Sequence, residues 1–130
     1  MNFISVKGPE LLNMYVGESE KNVRAVFERA RACSPCIIFM DELDALVPKR
    51  GNSGDSNQVM DRIVAELLQQ MDTASENQVF IIGATNRPDL LDPSILRGGR
   101  FDKQIYLGIT QAHEDRIKII KAQTRHLTLE

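Results

Sequence analysis

The sequence predicts an α/β fold built on a parallel sheet, and three observations point to it. Short apolar runs alternate with amphipathic stretches of helical period along the 130 residues. CIIFM (36–40) and the run within Gln78–Thr85 show no polar alternation, the pattern of strands covered on both faces. The residues with chemistry gather where those runs stop: Asp41-Glu42 after one, Thr85-Asn86 after the other. Open α/β sheets bind ligands at just these carboxyl ends.

The elements follow in order. Phe3–Val6 is a short β-prone run ended by Gly8-Pro9. From Ser19 to Ala32 the pattern turns helical, with Val23, Val26, Phe27 and Ala30 on one face and Glu20, Lys21, Arg24, Glu28 and Arg31 on the other. Ser34-Pro35 breaks this helix, and Cys36–Met40 is the next strand. A polar stretch with glycines and a proline, VPKRGNSGDSNQ, is an exposed loop. It feeds an amphipathic helix carrying Val59, Met60, Ile63, Val64, Leu67, Leu68 and Met71, with Asp55 or Ser56 as N-cap. Gln78–Thr85 is a strand, 86–102 a loop with one helical turn near Ser94–Leu96, and KQIYLGI (103–109) a fourth strand. Thr110 or Gln111 opens a last helix with a partly apolar face at Ile117 and Ile120.

Composition narrows the function classes. At 42% hydrophobic and 26% charged residues the chain is ordinary globular material, one domain or a piece of a larger one. A net charge of -2 argues against nucleic acid as a partner, since Lys49-Arg50 is a spot and not a stripe. No window approaches the ~18 apolar residues of a membrane span, and Met1–Ile4 does not read as a secretory leader. Cys33 and Cys36 form a CxxC at the end of a helix and the start of a strand. Thioredoxin-like pairs have the opposite order, and His113 and His126 are poorly spaced to complete a zinc site. The pair reads as two buried or half-buried thiols in a reducing compartment.

Two adjacent carboxylates at the end of an apolar strand suit nucleotide hydrolysis. One acid can hold Mg²⁺ through its water shell while the other orients or deprotonates water. The plainer reading is a strand end followed by a capped helix, DELDAL, with Asp41 as N-cap. Asn86 could donate a neutral hydrogen bond to the attacking water or a phosphate oxygen, or simply form a turn. Arg97 and Arg100, either side of Gly98-Gly99, suit phosphate oxygens or are simply solvated surface arginines, and local packing is not expected to account for them. No GxxxxGK[ST] occurs in the 130 residues, so the chain has the metal side of a phosphate site without the cradle.

With these residues assembled, the chain resembles an AAA-type ATPase domain over essentially its whole length. IIFMDELDAL is similar to the Walker B motif, which implies that Asp41 binds Mg²⁺ and Glu42 activates water. GATNRPD resembles sensor 1, implying a nucleotide contact from Asn86. DPSILRGGRFD resembles the arginine-finger segment, which places Arg97 and Arg100 against ATP held by the next subunit. MYVG resembles the pore loop, with Tyr15, Val16 and Gly17 gripping a threaded polypeptide. The sequence is most similar to second ATPase domains of double-ring members, above all to the AAA peroxins of peroxisome biogenesis. The valosin-containing and nuclear ribosome-assembly types remain alternatives.

The resemblance implies an incomplete P-loop NTPase-type sheet flanked by helices. Residues 1–109 would be part of the large AAA subdomain, holding its second to fifth strands without Walker A, and 110–130 would start the helical lid. Strands Gln78–Thr85 and Lys103–Leu107 would lack their shared neighbour, leaving apolar surface open and the chain alone unable to hydrolyse ATP. ATP and Mg²⁺ are the implied cofactors. Implied partners are neighbouring AAA subunits of a hexamer, including a second AAA peroxin, and a polypeptide substrate, with no nucleic acid. The implied location is cytoplasmic, at the cytosolic face of the peroxisomal membrane, reached through a partner. A nucleotide-binding structural subunit that does not turn over ATP is the other functional class. The chain departs from the family at Gly98, usually proline, which makes the arginine loop less stiff, and at Met71-Asp72-Thr73, usually MDG, which weakens the expectation that this second segment communicates between subunits.

Overall fold

The computed structural model describes residues 1–12, 15, 17–48 and 56–127. Strand β1 (Asn2–Lys7) runs into a single helical turn, α1 (Gly8–Leu11), whose first turn holds Pro9 where no N–H is needed. The Glu10 carboxylate accepts the Lys7 N–H at 3.1 Å and closes that turn. Helix α2 (Glu18–Ala32) follows, capped at its start by Gly17 in the left-handed region (φ 82°), where glycine bears no Cβ penalty. The Ser34–Pro35 bond is cis, and β2 (Cys36–Asp41) begins at once. Beyond it lie the short α3 (Leu43–Leu46), the long α4 (Ser56–Ala74), a 3₁₀ turn Ser75–Asn77 and β3 (Val79–Gly83). Two 3₁₀ turns, Pro88–Leu90 and Pro93–Leu96, and α5 (His113–Gln123) complete the described elements. Of the two expected caps of α4, Asp55 lies outside the described residues and Ser56 is already helical.

The three strands form one parallel sheet in the order β1-β2-β3, with Asn2 opposite Cys36 and Cys36 opposite Val79. Helices α2 and α4 pack on one another and on one face of this sheet. Their apolar stripes meet Cys36, Ile38 and Met40, each fully buried, in a core with Val23, Phe27, Ile63 and Leu67. Burying one such large side chain is worth about 1.5–3 kcal/mol. Across the top of this layer Arg24 forks onto Glu66 at 2.8 and 3.1 Å, Gln70 donates to Glu66 at 2.9 Å, and Arg31 donates to Gln70 at 2.8 Å.

Two expectations fail here for related reasons. Full coverage of both faces of CIIFM is not found: Ile37 and Phe39 are only half-buried, and the same face leaves Phe3 61%, Phe80 61% and Ile82 47% exposed. The expected fourth strand over 103–109 does not form either, and Ile105, Tyr106, Leu107 and Ile109 stand 83–91% exposed. Strand propensity is a preference for a pleated, packed surface. Among the described residues nothing pairs with this segment, so its apolar pattern has no ladder to join. The open edge and bare apolar surface anticipated from the family layout are present at Phe80, Ile82, Ile105 and Leu107. Helix α5 likewise buries none of its residues.

The Arg24–Glu66 pair supplies a pH-dependent contribution to stability. Hydrogen bonding to Arg24 holds the Glu66 carboxyl below the usual carboxylate range, against the opposing effect of burial. A lowered folded-state pKa stabilises above the unfolded value of about 4.3 and loses that benefit as pH falls through the folded value. Arg24 is half exposed, so the expected size is at most about 1 kcal/mol. Glu66→Gln should therefore lower the melting temperature slightly at pH 7, and the gap from wild type should close below about pH 4. Thermal denaturation across pH 3–7 checks this, and a gap independent of pH would contradict it.

Candidate functional site

The site grows from the shared end of β2 and β3. Met40 lies opposite Gly83, and the ladder continues one step beyond the strands. Ala84 N–H donates to the Met40 carbonyl at 2.8 Å, and Leu43 N–H donates to the Ala84 carbonyl at 3.0 Å. Asp41-Glu42 and Thr85-Asn86 thus leave the sheet side by side. Asp41 is half-buried, and its Oδ1 accepts the Glu42 N–H at 2.9 Å. This bond, not an N-cap, is what Asp41 makes: the residue before α3 is Glu42.

Glu42 is exposed, with φ 53° and ψ 48°, a left-handed conformation costing a non-glycine residue about 1–3 kcal/mol. The surroundings hold it there. Its carbonyl accepts Ala45 N–H at 3.0 Å, and the next residue, Leu43, is fastened to Ala84. Gly8 of α1 packs directly on the Glu42 carbonyl oxygen, where a Cβ would collide. Gly83 has the same role on the other strand, since a Cβ there would approach the Leu43 side chain to 2.8 Å and the Phe101 ring to 3.0 Å.

A third acid completes the junction. Thr85 Oγ1 donates to Asp44 Oδ1 at 2.6 Å and accepts the Arg87 N–H at 3.0 Å, which fixes the turn carrying exposed Asn86. Asp41, Glu42 and Asn86 stand out in the sequence, whereas Asp44, Gly8 and Gly83 emerge only from the structure. The third carboxylate of DELDAL beside a strand-end threonine was a usable signal. Nothing in the sequence points to Gly8, because its neighbour is distant along the chain.

The arginines are not brought to these acids. Arg97 is exposed beyond the Pro93–Leu96 turn. Arg100 is engaged: Nε and Nη2 contact the two Asp72 oxygens at 3.1 and 3.2 Å, and Nη1 donates to the Ser94 carbonyl at 3.0 Å. That pairing holds the Asp72 carboxyl below its ordinary range. Local packing does account for Arg100, contrary to the expectation from sequence. Asp72 lies in the last turn of α4, the end that feeds the start of β3, so this anchor sits toward the opposite end of the sheet from Asp41. An open cleft of about 360 Å³ beside it is lined by Met71, Ala74, Val79, Ile81, Phe101 and Arg100, among others.

Of the expected pore loop, Tyr15 is 75% exposed. Gly17 caps α2, and Val16 lies outside the described residues.

Comparison with known proteins settles the lineage. The model of the ATPase family associated with various cellular activities (AAA) matches residues 1–109. The chain belongs to the AAA family. Similar AAA proteins include the peroxisomal ATPase PEX6 of Kluyveromyces lactis, 63% identical over 100% of this chain and 13% of its own length. PEX6 of Colletotrichum orbiculare is 61% identical over 99% of the chain and 10% of its own length, and that of Schizosaccharomyces pombe 59% over 100% and 14%. The chain thus spans a small part of the curated AAA relatives that it matches.

AAA domains bind ATP with Mg²⁺, and the residues here fit one side of that group. Asp41, half-buried at a strand end, can serve a hydrated cation, but no cluster of three or more His, Cys, Asp or Glu exists among the described residues to cage one. No residue run in the chain supplies the glycine-rich cradle for phosphates.

Gly8→Ala should cost about 1–3 kcal/mol, because the added methyl meets backbone that cannot swing aside. Gly98→Ala, where a Cβ meets nothing within 4 Å, should leave the melting temperature unchanged. Parallel thermal denaturation checks the pair; an unaffected Gly8→Ala would mean that the α1–Glu42 contact is loose.

Proposed function

We propose that this chain is the acid-bearing part of an ATP-hydrolysing AAA ring motor that threads or remodels polypeptides in peroxisomal import-receptor recycling. One observation carries the chemical part: Asp41 and Glu42 leave β2 beside Thr85-Asn86, stapled through Ala84. In this reading Asp41 contacts the water shell of Mg²⁺, Glu42 orients or deprotonates the attacking water, and Asn86 donates a hydrogen bond to nucleotide or water. The bound nucleotide–metal group supplies the phosphoryl electrophile; its phosphates would be cradled by residues outside this chain. Residues 1–109 belong to the large subdomain and 110–130 to the start of the lid. Similarity to the peroxisomal ATPases supports placement at the cytosolic face of the peroxisomal membrane, in a hexamer with a second AAA peroxin. Exposed Tyr15, with Val16 and Gly17, is assigned to the polypeptide path.

Glu42→Gln in the full-length protein should leave ATP binding intact while lowering turnover by about 10²–10⁴, the range for a positioned acid–base group. Nucleotide binding and hydrolysis measured on the same preparation decide it. A normal turnover rate would remove Glu42 from the chemistry. A structural, non-hydrolysing subunit would show no turnover even as wild type.

Arg97 and Arg100 are assigned to the neighbouring subunit's nucleotide, as trans-acting arginines elsewhere. Arg100 must then leave Asp72. In mixed rings with the other sites silenced, Arg97→Ala or Arg100→Ala should impair hydrolysis only across the interface facing the mutated arginine. A defect confined to the mutant's own site would make the arginines cis-acting, and Arg100→Ala that lost stability alone would make Arg100 an anchor for α4.

A further inference from the structure

Cys33 and Cys36 occupy the amino end of the sheet, away from the acids. Cys33 follows the last residue of α2 and Cys36 is the first residue of β2, so the chain reverses between them. Three hydrogen bonds hold that reversal. Asn2 Nδ2 donates to the Cys33 carbonyl, Asn2 N–H to the Pro35 carbonyl at 3.0 Å, and Cys36 N–H to the Gln78 carbonyl at 3.2 Å. The ends of β1 and β3 thereby fix the backbone that carries both cysteines. Cys36 is fully buried, whereas Cys33 is half-buried and open to a small reagent.

The two thiols are near enough to act on one another. Burial pushes the Cys36 pKa up, the hydrogen-bonded Cys33 side chain raises it further, and the Arg29 guanidinium opposes both. Their thiol contacts are otherwise weak and local: Cys33 Sγ to the Ala30 carbonyl at 3.7 Å and Cys36 Sγ to the Ile37 carbonyl at 3.6 Å. No third or fourth ligand gathers here among the described residues, which leaves no metal site. A pair of adjacent thiols with one exposed and one buried member, on a pinned turn, has the division of labour of an attacked and a resolving cysteine.

We propose that Cys33 and Cys36 form an oxidisable dithiol, a modification site at which a small disulfide such as glutathione disulfide is reduced while the pair closes to an intrachain disulfide. Cys33 reacts first because it is the accessible member. Its thiolate attacks one sulfur of glutathione disulfide, a Cys33–glutathione bond forms, and one glutathione leaves as thiolate. Cys36 then loses its proton and attacks the Cys33 sulfur, and the second glutathione leaves. Two protein thiols are oxidised and one disulfide is reduced to two thiols. The raised Cys36 pKa slows the second step, and its fixed proximity offsets this. In a reducing compartment the pair rests as thiols, and closure records an oxidising shift.

The sequence gives a clean assay. No Lys or Arg lies between Arg31 and Lys49, so trypsin releases both cysteines on one peptide, 32–49. The full-length protein is equilibrated in glutathione buffers of rising oxidised fraction, alkylated and digested, and the peptide is weighed. The expected result is progressive loss of two hydrogens and of alkylation at both cysteines, reversed by dithiothreitol. Cys36→Ser should instead accumulate a glutathione adduct on Cys33, and Cys33→Ser should leave Cys36 unmodified in the folded protein. A wild-type peptide that stays fully alkylated in glutathione disulfide alone would overturn the proposal. So would a wild-type adduct on Cys33 that never closes, since that makes Cys36 no resolving partner.

Discussion

Ala84 holds the acid-bearing end of the sheet together with two backbone hydrogen bonds, one donated to Met40 and one accepted from Leu43. Parallel strands run in one direction, so their carboxyl ends come to the same edge of the sheet. The ladder ends at Gly83, and without the extra step through Ala84 the chain after β2 would be free to splay. Fastening Leu43 forces the reversal onto Glu42, which takes it in a left-handed conformation. It also starts α3 at a fixed angle, so that Asp44 meets Thr85. The strain at Glu42 is tolerated because bonds on both sides over-determine it. Gly8 then closes the remaining space against its carbonyl.

The architecture was legible where a local pattern and a buried face agreed. The stripes Val23, Phe27, Ala30 and Ile63, Leu67, Met71 face the core as their spacing requires, and each of these residues is buried. The runs CIIFM and VFII gave strands in the right places but misled about coverage. Apolarity on both faces of a strand reports what the sequence is suited to, and the described residues cover only the face that α2 and α4 reach. The 103–109 run fails for the same reason in another direction. A strand is made by its neighbour, and no run of residues encodes that the neighbour is at hand.

The site was legible in its acids and opaque in its contacts. Asp41, Glu42 and Asn86 stand at adjacent strand ends as their positions predicted, because strand ends follow from strand pattern. The partners that fix them come from elsewhere along the chain: Gly8 for Glu42, and Asp44 for Thr85, 41 residues away. Arg100 shows the limit most clearly. Its spacing from Arg97 across two glycines suggested a free loop, yet Asp72, 28 residues earlier, claims the whole guanidinium fork. Such pairings depend on where a helix ends relative to a loop, and hydrophobic period does not encode that to within a side chain's length.

The sheet therefore has two chemically distinct ends. The carboxyl end gathers Asp41, Glu42 and Asp44, and the amino end carries the Arg100–Asp72 fork and the Cys33/Cys36 turn. For Arg100 this placement sets a condition on the trans role proposed for it. Its guanidinium already has a bidentate carboxylate and a carbonyl, and a phosphate must compete with that charge-assisted fork. A nucleotide phosphate on a neighbouring subunit offers more negative charge than one carboxylate, and it offers it only when a neighbour is in place. Exchange of Asp72 for phosphate would then make the arginine available when the ring is assembled and loaded, and hold it harmlessly otherwise. In that trans role the group to be displaced would be Asp72, so Gly98 can loosen the arginine loop without freeing Arg100.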